Sequence, residues 1–291
     1  MRLAISADLH WGIRPAGDQA TRLLIEYLTA EPPDVLVLAG DVGAGGDFAK
    51  CLTLFDQLNC GKALVPGNHD IWVEENDPRG DSLQVYQEHL PKLCTEHGFH
   101  YLDHAPLIFP EAGLAIAGSI NWYDYSWSVE KLQRKLNDWE DRLRNKRFSR
   151  GRHNDARFVR WSLDDPGFTR QVVAKFGGHL RECLGQVGHT VIVTHHPAFY
   201  GLSFPRILPP LTVDALIWDA LAGNQALETI LSQNAGRIPF VFSGHTHRAR
   251  ENRLHAIRGY NIGGDYHFKR LILVEWPTGE VVIRMFGDPG D

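Results

Sequence analysis

Little in this 291-residue chain points to a membrane, a disulfide framework or a thiolate metal site. No apolar run approaches the roughly 18 residues that span a bilayer. The four cysteines, Cys51, Cys60, Cys94 and Cys183, have no metal-ligand spacing and read as reduced or incidental thiols. The N-terminus enters a strand-like run at once and lacks the charged segment and apolar stretch of a signal peptide, so a cytoplasmic location is expected. A net charge of −5 and a pI near 6.3 are too mild to predict a nucleic acid or a membrane as partner. No Gly-rich loop is followed by Lys, which removes P-loop nucleotide hydrolysis. No repeat or low-complexity stretch interrupts the chain. What is present suits a globular enzyme, because a hydrophobic fraction of 43% supports a sizeable core in one large domain or two ordinary ones.

Against this background five short motifs stand out: Asp8-Leu9-His10, Gly40-Asp41, Gly67-Asn68-His69-Asp70, His195-His196-Pro197 and Gly244-His245-Thr246-His247. Each follows a short apolar run: Arg2–Ala7, Val35–Ala39, Ala63–Val65, Thr190–Val193 and Pro239–Phe242. Strands of one sheet end in a shared crevice, where ligands of open α/β sheets bind. Along a strand, residues i and i+2 point the same way, so Asp8 and His10 are expected to reach one ion. A small glycine lets the backbone approach the site, and a carboxylate such as Asp41 can bridge two cations with its two oxygens. A lone Gly-Asp is more often a turn than a ligand. The conjunction of all five motifs in order decides for chemistry. Oxygen and imidazole donors without thiolate suit two divalent or trivalent ions, Mn or Fe, with Zn also compatible.

The intervening sequence alternates between strand and helix patterns. Helical spacing runs over Asp18–Ala30, Phe48–Leu58 and Asp81–His97, the last kinked or split at Pro91. This alternation predicts the α/β class. After the strand-like Gly113–Ala117 the pattern changes. Residues 128–165 carry eleven basic and seven acidic side chains, with helical spacing over Val129–Lys146. We read 1–291 as one domain in which about 120–165 form an insertion or cap over the site. The runs Leu271–Val274 and Val281–Ile283 then signal a terminal hairpin.

Through Asp8-x-His10, Gly40-Asp41, Gly67-Asn68-His69-Asp70, His195 and Gly244-His245-x-His247, the chain resembles the calcineurin-like metallophosphoesterase superfamily over residues 1 to about 275. The resemblance implies a four-layer αββα sandwich of two mixed sheets flanked by helices. It also implies a dinuclear centre in which one metal takes Asp8, His10, Asp41 and His247, and the other takes Asp41, Asn68, His195 and His245. Two features depart from the protein Ser/Thr phosphatases of the superfamily. Gly40-Asp41 continues as Val42-Gly43-Ala44-Gly45-Gly46 without the Asp and Arg expected there, and Asp70 stands where they carry Glu. The pattern is nearer the phosphodiesterase branches.

Two cations held together in this way clamp the attacking and leaving oxygens of an in-line displacement and generate hydroxide near neutral pH. The expected reaction is attack of that hydroxide on phosphorus. His69, spared from ligation, is the candidate general acid or electrostatic stabiliser. Asp70 and His196 are candidates to partner the free nitrogens of ligand imidazoles. A small or nucleotide phosphodiester is the favoured substrate. A phosphomonoesterase, including a protein phosphatase, is the alternative, ahead of a nuclease or an inactive scaffold. Trp122 and Tyr123, first after a strand, are expected to face the crevice or else to pack the insertion onto the core. Arg144, Lys146, Arg147, Arg150 and Arg152 either attract the phosphorylated substrate or form a solvated face.

Overall fold

The computed structural model describes residues 1–204 and 211–288. Its strands are β1 (Arg2–Ser6), β2 (Val35–Ala39), β3 (Gly61–Val65), β4 (His100–Tyr101), β5 (Leu107–Phe109), β6 (Leu114–Ser119), β7 (His189–Thr194), β8 (Phe240–Ser243), β9 (Arg250–Leu254), β10 (Ile257–Asn261), β11 (Lys269–Glu275) and β12 (Glu280–Phe286). They form two six-stranded mixed sheets, ordered β12-β11-β1-β2-β3-β4 and β5-β6-β7-β8-β10-β9. The centre of each sheet is parallel and the antiparallel pairs lie toward the edges. Lys269–Glu275 and Glu280–Phe286 pair as the expected terminal hairpin.

Strand parity sets the layers. In β2 every residue is buried, as expected for a strand covered on both faces. Val35 and Val37 point between the sheets, where they join Leu3, Ile5, Val191, Val193, Phe240 and Phe242. Leu36 and Leu38 point outward, onto Leu24, Leu28, Phe48 and Leu52 of the helices Pro15–Ala30 and Gly46–Thr53. On the far face of the second sheet, Ala117, Ile192 and Val241 receive Phe176 and Leu180 of the helix Asp165–Gln186 and Leu227 and Leu231 of the helix Gln225–Gln233. The result is the αββα sandwich. Among the described residues, no helix is long and apolar enough to cross a membrane.

Two helical segments differ from expectation. The segment 81–97 divides into Ser82–Gln84, a π-helical Val85–His89 and Leu90–Glu96. Pro91 enters the last piece directly after this π turn, whose wider Leu90 N–H to Val85 O bond marks the change of helical register expected near a proline. Residues 129–146 form two short helices, Val129–Gln133 and Trp139–Arg144, rather than one. Leu132 and Leu143 are the residues these two helices bury, and so narrow an apolar face does not hold a long helix against the core.

Candidate metal centre

The motif side chains converge at the C-terminal ends of β1, β2, β3, β7 and β8, but not because of strand alternation. Asp8, His10, Asp41, His245 and His247 all lie beyond their strands, in left-handed backbone at φ of 57°, 46°, 54°, 72° and 54°. Half of the ten non-glycine residues with positive φ among those described are therefore candidate ligands. Such conformations cost roughly 1–3 kcal/mol each and persist where the surroundings over-determine them. Here backbone hydrogen bonds do so: Asp8 N–H donates to Gly40 O (3.0 Å), His10 N–H to Asp41 O (2.8 Å) and Gly244 N–H to His195 O (2.9 Å). Two glycines are required by contact. A Cβ on Gly40, at φ 84°, would sit 2.4 Å from His195 Nδ1, and one on Gly67 would sit 2.1 Å from Asp41 Oδ1.

Donor atoms of Asp8, His10, Asp41 and His247 lie within 4.8 Å of one another. His10 Nε2 and His247 Nε2 are 2.8 Å apart, and Asp41 Oδ2 is 3.6 Å from His10 Nε2. The other Asp41 oxygen, Oδ1, faces His195 Nε2 at 3.4 Å. Asn68 Oδ1 is 3.0 Å from His195 Nε2 and 3.2 Å from His245 Nδ1. Two donor groups thus meet across one carboxylate.

This donor set fits two hard cations. Asp8 Oδ1 accepts from His245 N–H, while its Oδ2 is buried without a hydrogen-bond partner among the described residues. Burial pushes Asp8 up to about 7 and, with the charges of Asp70 and Asp8, raises Asp41 well above the usual carboxylate range. Burial also holds His10, His195 and His245 well below the usual imidazole value, which favours the neutral ring with a lone pair that a cation could take. Carboxylates that dislike their own charge and imidazoles with free lone pairs are both relieved by a bound cation.

The supporting residues depart in part from expectation. Asp70 does not partner a ligand imidazole. Its Oδ1 accepts from Gly43 N–H (3.0 Å) and its Oδ2 from Gly67 N–H (2.7 Å), which ties two ligand loops together. The free nitrogen of His195 instead meets a backbone carbonyl, Ala39 O, at 3.0 Å. His196 turns Nδ1 to Ile120 O (3.1 Å) and lays its ring against that of His245, with centroids 4.1 Å apart. His69 stacks on Trp72 (centroids 3.6 Å apart), with Nε2 3.8 Å from Asp41 Oδ2 and Nδ1 buried without a hydrogen-bond partner among the described residues. Burial pushes His69 down to about 3, against the opposing charge of Asp155.

Asp155 is the residue that sequence reading misses. It comes from the 120–165 segment, is buried, and accepts from Asn68 Nδ2 (2.9 Å), Trp72 Nε1 (2.8 Å) and Tyr123 Oη (2.9 Å). Burial raises its carboxyl, but the charge and hydrogen bond of His153, the Asn68 amide and the charge of Lys146 outweigh this and hold it well below the usual range. By taking the Asn68 amide NH2, it leaves Asn68 Oδ1 turned toward His195 and His245.

Trp122 and Tyr123 do not face the crevice. Both are fully buried in the core, with Trp122 Nε1 donating to Asp165 (2.8 Å) and stacked on Tyr123. An aromatic that follows a strand in a packed sandwich gains more from burial than from lining water. Trp122→Ala should therefore lower stability by roughly 3–5 kcal/mol in denaturant unfolding. A fully stable variant with an altered KM would restore the substrate role. The crevice, a cavity of about 420 Å³, is instead walled by Trp72, Phe148, Arg152, His153, Trp218 and Tyr266 beside Asp41, Asn68, His69, His245 and His247. The 120–165 segment therefore lines the crevice through Phe148 and residues 152–154, with Asp155 behind them on Asn68.

The family pattern of calcineurin-like phosphoesterases matches residues 1–249. A 133-residue segment, 44% of the chain, is 29% identical to the acyl-carrier-protein phosphodiesterase PptH of Mycobacterium tuberculosis, and spans 40% of that relative's length. The crystal structure of the phosphopantetheinyl hydrolase PptH from that organism superposes with a TM-score of 0.69 at 20% identity, covering 91% of this chain and 89% of that one. A dimetal phosphatase from Danio rerio superposes at 0.61 with 14% identity, covering 99% and 96%. These structural likenesses share the fold. The family carries a dinuclear divalent metal centre, for which the converging donors supply a candidate ligand cluster. This chain belongs to the calcineurin-like phosphoesterase family.

Proposed function

We propose that the protein is a dinuclear phosphodiesterase for a small or nucleotide-like diester, built as one domain with 120–165 as a substrate-facing insertion. Asp8, His10, Asp41 and His247 would hold one ion. Asp41, Asn68, His195 and His245 would hold the other. Mn²⁺ or Fe fits this oxygen and imidazole set, and Zn²⁺ is compatible. Such ions supply Lewis acidity and a nucleophilic water at neutral pH. The chain's own contribution is orientation and proton handling. Asp41 divides its two oxygens between the donor groups, and Asp155 fixes the Asn68 amide. His69 donates a proton, or a hydrogen bond from its neutral ring, to the leaving oxygen.

The observation that carries the diester reading is the lining of the crevice. Among the described residues, its lining beside the candidate ligands has one guanidinium, Arg152, and several aromatic rings, Trp72, Phe148, Phe204, Trp218 and Tyr266. A monoester presents a dianion that calls for a cationic clamp, whereas a diester presents one charge and two organic arms, which such a wall accepts. The PptH match is in accord, since that relative is named a phosphodiesterase. The test compares bis(4-nitrophenyl) phosphate with 4-nitrophenyl phosphate in added Mn²⁺, and faster turnover of the monoester would reject the reading.

Asp41→Asn tests the bridging role. One anionic oxygen is lost, so at least one metal should bind roughly 10-fold more weakly or worse, a floor taken from the smaller effects of residues behind the ligands. Unchanged metal content and affinity in the variant would remove Asp41 from the bridge.

A further inference from the structure

We infer that Arg152, Arg157 and Arg160 form an anion subsite for a second phosphate carried by the substrate away from the scissile diester. This rests on the phosphodiesterase reading. A groove of about 470 Å³, lined by these three arginines with His153 and Asn154, adjoins the metal crevice, and the two cavities share Arg152, His153 and Asn154. An extended substrate seated at the metals can therefore run from one into the other.

Charge and position together single out these three side chains. Of the segment's other cations, Arg134 pairs with Glu130, Arg142 with Asp138, Arg144 with Glu140, Arg147 with Asp138 and Asp141, and the buried Lys146 with Asp165, while Lys131, Lys135 and Arg150, also without an ion pair among the described residues, do not line the groove. Arg152, Arg157 and Arg160 are exposed and have no ion pair among the described residues. Among the described residues, the groove is lined by no carboxylate. Three guanidiniums on one concave surface repel one another until an anion arrives, and their forked donors match phosphate oxygens.

The groove is also fixed relative to the metal centre, which separates it from an ordinary basic surface. Asp155 locks the segment to Asn68 and Trp72. Val73 N–H donates to Phe158 O (2.9 Å), Ser82 N–H to Arg160 O (2.9 Å) and Arg160 N–H to Ser82 Oγ (2.9 Å). A continuous stack joins the two sites. His69 lies on Trp72, Trp72 on Phe158 (centroids 5.0 Å apart), and the Arg157 guanidinium sits 4.7 Å over the Phe158 ring. The second anion would thus be held at a set distance from the reacting phosphorus, which makes the groove a ruler for substrate choice.

The Mn²⁺-loaded full chain should be assayed on thymidine 5′-(4-nitrophenyl phosphate) with and without a 3′-phosphate, as wild type and as Arg157→Gln/Arg160→Gln. For the wild type, kcat/KM should be roughly 10-fold or more higher with the 3′-phosphate, the worth of about one charge-assisted contact. The double variant should lose that preference and still turn over bis(4-nitrophenyl) phosphate within about two-fold of wild type. Calorimetry with thymidine 3′,5′-bisphosphate against thymidine 5′-monophosphate gives a readout that does not depend on turnover. The bisphosphate should bind more tightly to wild type and equally with the monophosphate to the variant. Equal kcat/KM for the two esters together with equal affinity for the two nucleotides in the wild type would overturn the subsite. Failure on every diester with the bisphosphate preference intact would overturn the phosphodiesterase reading alone.

Discussion

Replacing His69 with Asn should lower kcat on an alkyl diester by roughly 10²–10⁴-fold, the range for loss of a general acid. Metal content should stay close to wild type, because the donor groups around Asp41 are complete without this ring. The position argues for chemistry rather than support. His69 is held face to face with Trp72, presents Nε2 to the Asp41 carboxylate and keeps Nδ1 free of protein partners among the described residues. The loss should shrink on a 4-nitrophenyl ester, whose leaving group needs little protonation. An equal loss on the alkyl and nitrophenyl esters would assign His69 a purely electrostatic or structural part. Single-turnover measurements on both substrates, beside metal analysis of the variant, distinguish these results.

Asp155→Asn should weaken metal binding by roughly 10–100-fold, the usual effect of removing the partner that orients a ligand. The loss should fall mainly on the ion that Asn68 would serve. The substitution keeps volume but exchanges an acceptor for a donor at a point where Asn68 Nδ2, Trp72 Nε1 and Tyr123 Oη all donate. At least one of these donors is left without an acceptor, and the Asn68 amide is free to turn its oxygen away from His195 and His245. Stepwise Mn²⁺ titration well below the unfolding temperature reads this directly. One weakened step and one near-native step are expected. Two native-like steps in a protein with merely lowered thermal stability would show that Asp155 holds the insertion down without positioning the ligand.

The parts of the site legible in sequence are those fixed locally. An apolar run, a glycine and a ligand within a few residues report a strand end where the backbone must pass close to another side chain. Gly40 against His195 and Gly67 against Asp41 are the physical reason for that spelling. The same locality made the continuously apolar Val35–Ala39 run and the terminal hairpin readable. The reason assigned to the Asp8 and His10 pair was nevertheless wrong, since strand alternation does not operate past Ser6 and left-handed turns aim both side chains. Strands β9 and β10 left no clear signal, because the edge strand Arg250–Leu254 is largely polar and half-exposed, and Ile257–Asn261, though mostly buried beside β8, is a short mix of polar and apolar residues.

By itself, the sequence determined the family's fold and its oxygen and imidazole donors, because short-range patterns of burial and backbone approach suffice for both. Only the tertiary structure decided which insertion residues reach the site. Asp155 meets Asn68 across 87 positions of chain, and no local pattern marks such a pair. Trp122 and Tyr123 look like pocket residues until the sandwich encloses them. The Asp138–Arg142 and Glu140–Arg144 pairs lie four residues apart and follow from helical spacing, whereas only folding puts Arg152, Arg157 and Arg160 on one groove beside the crevice. Enclosure and the sharing of a groove depend on distance in space, and the order of residues does not state it.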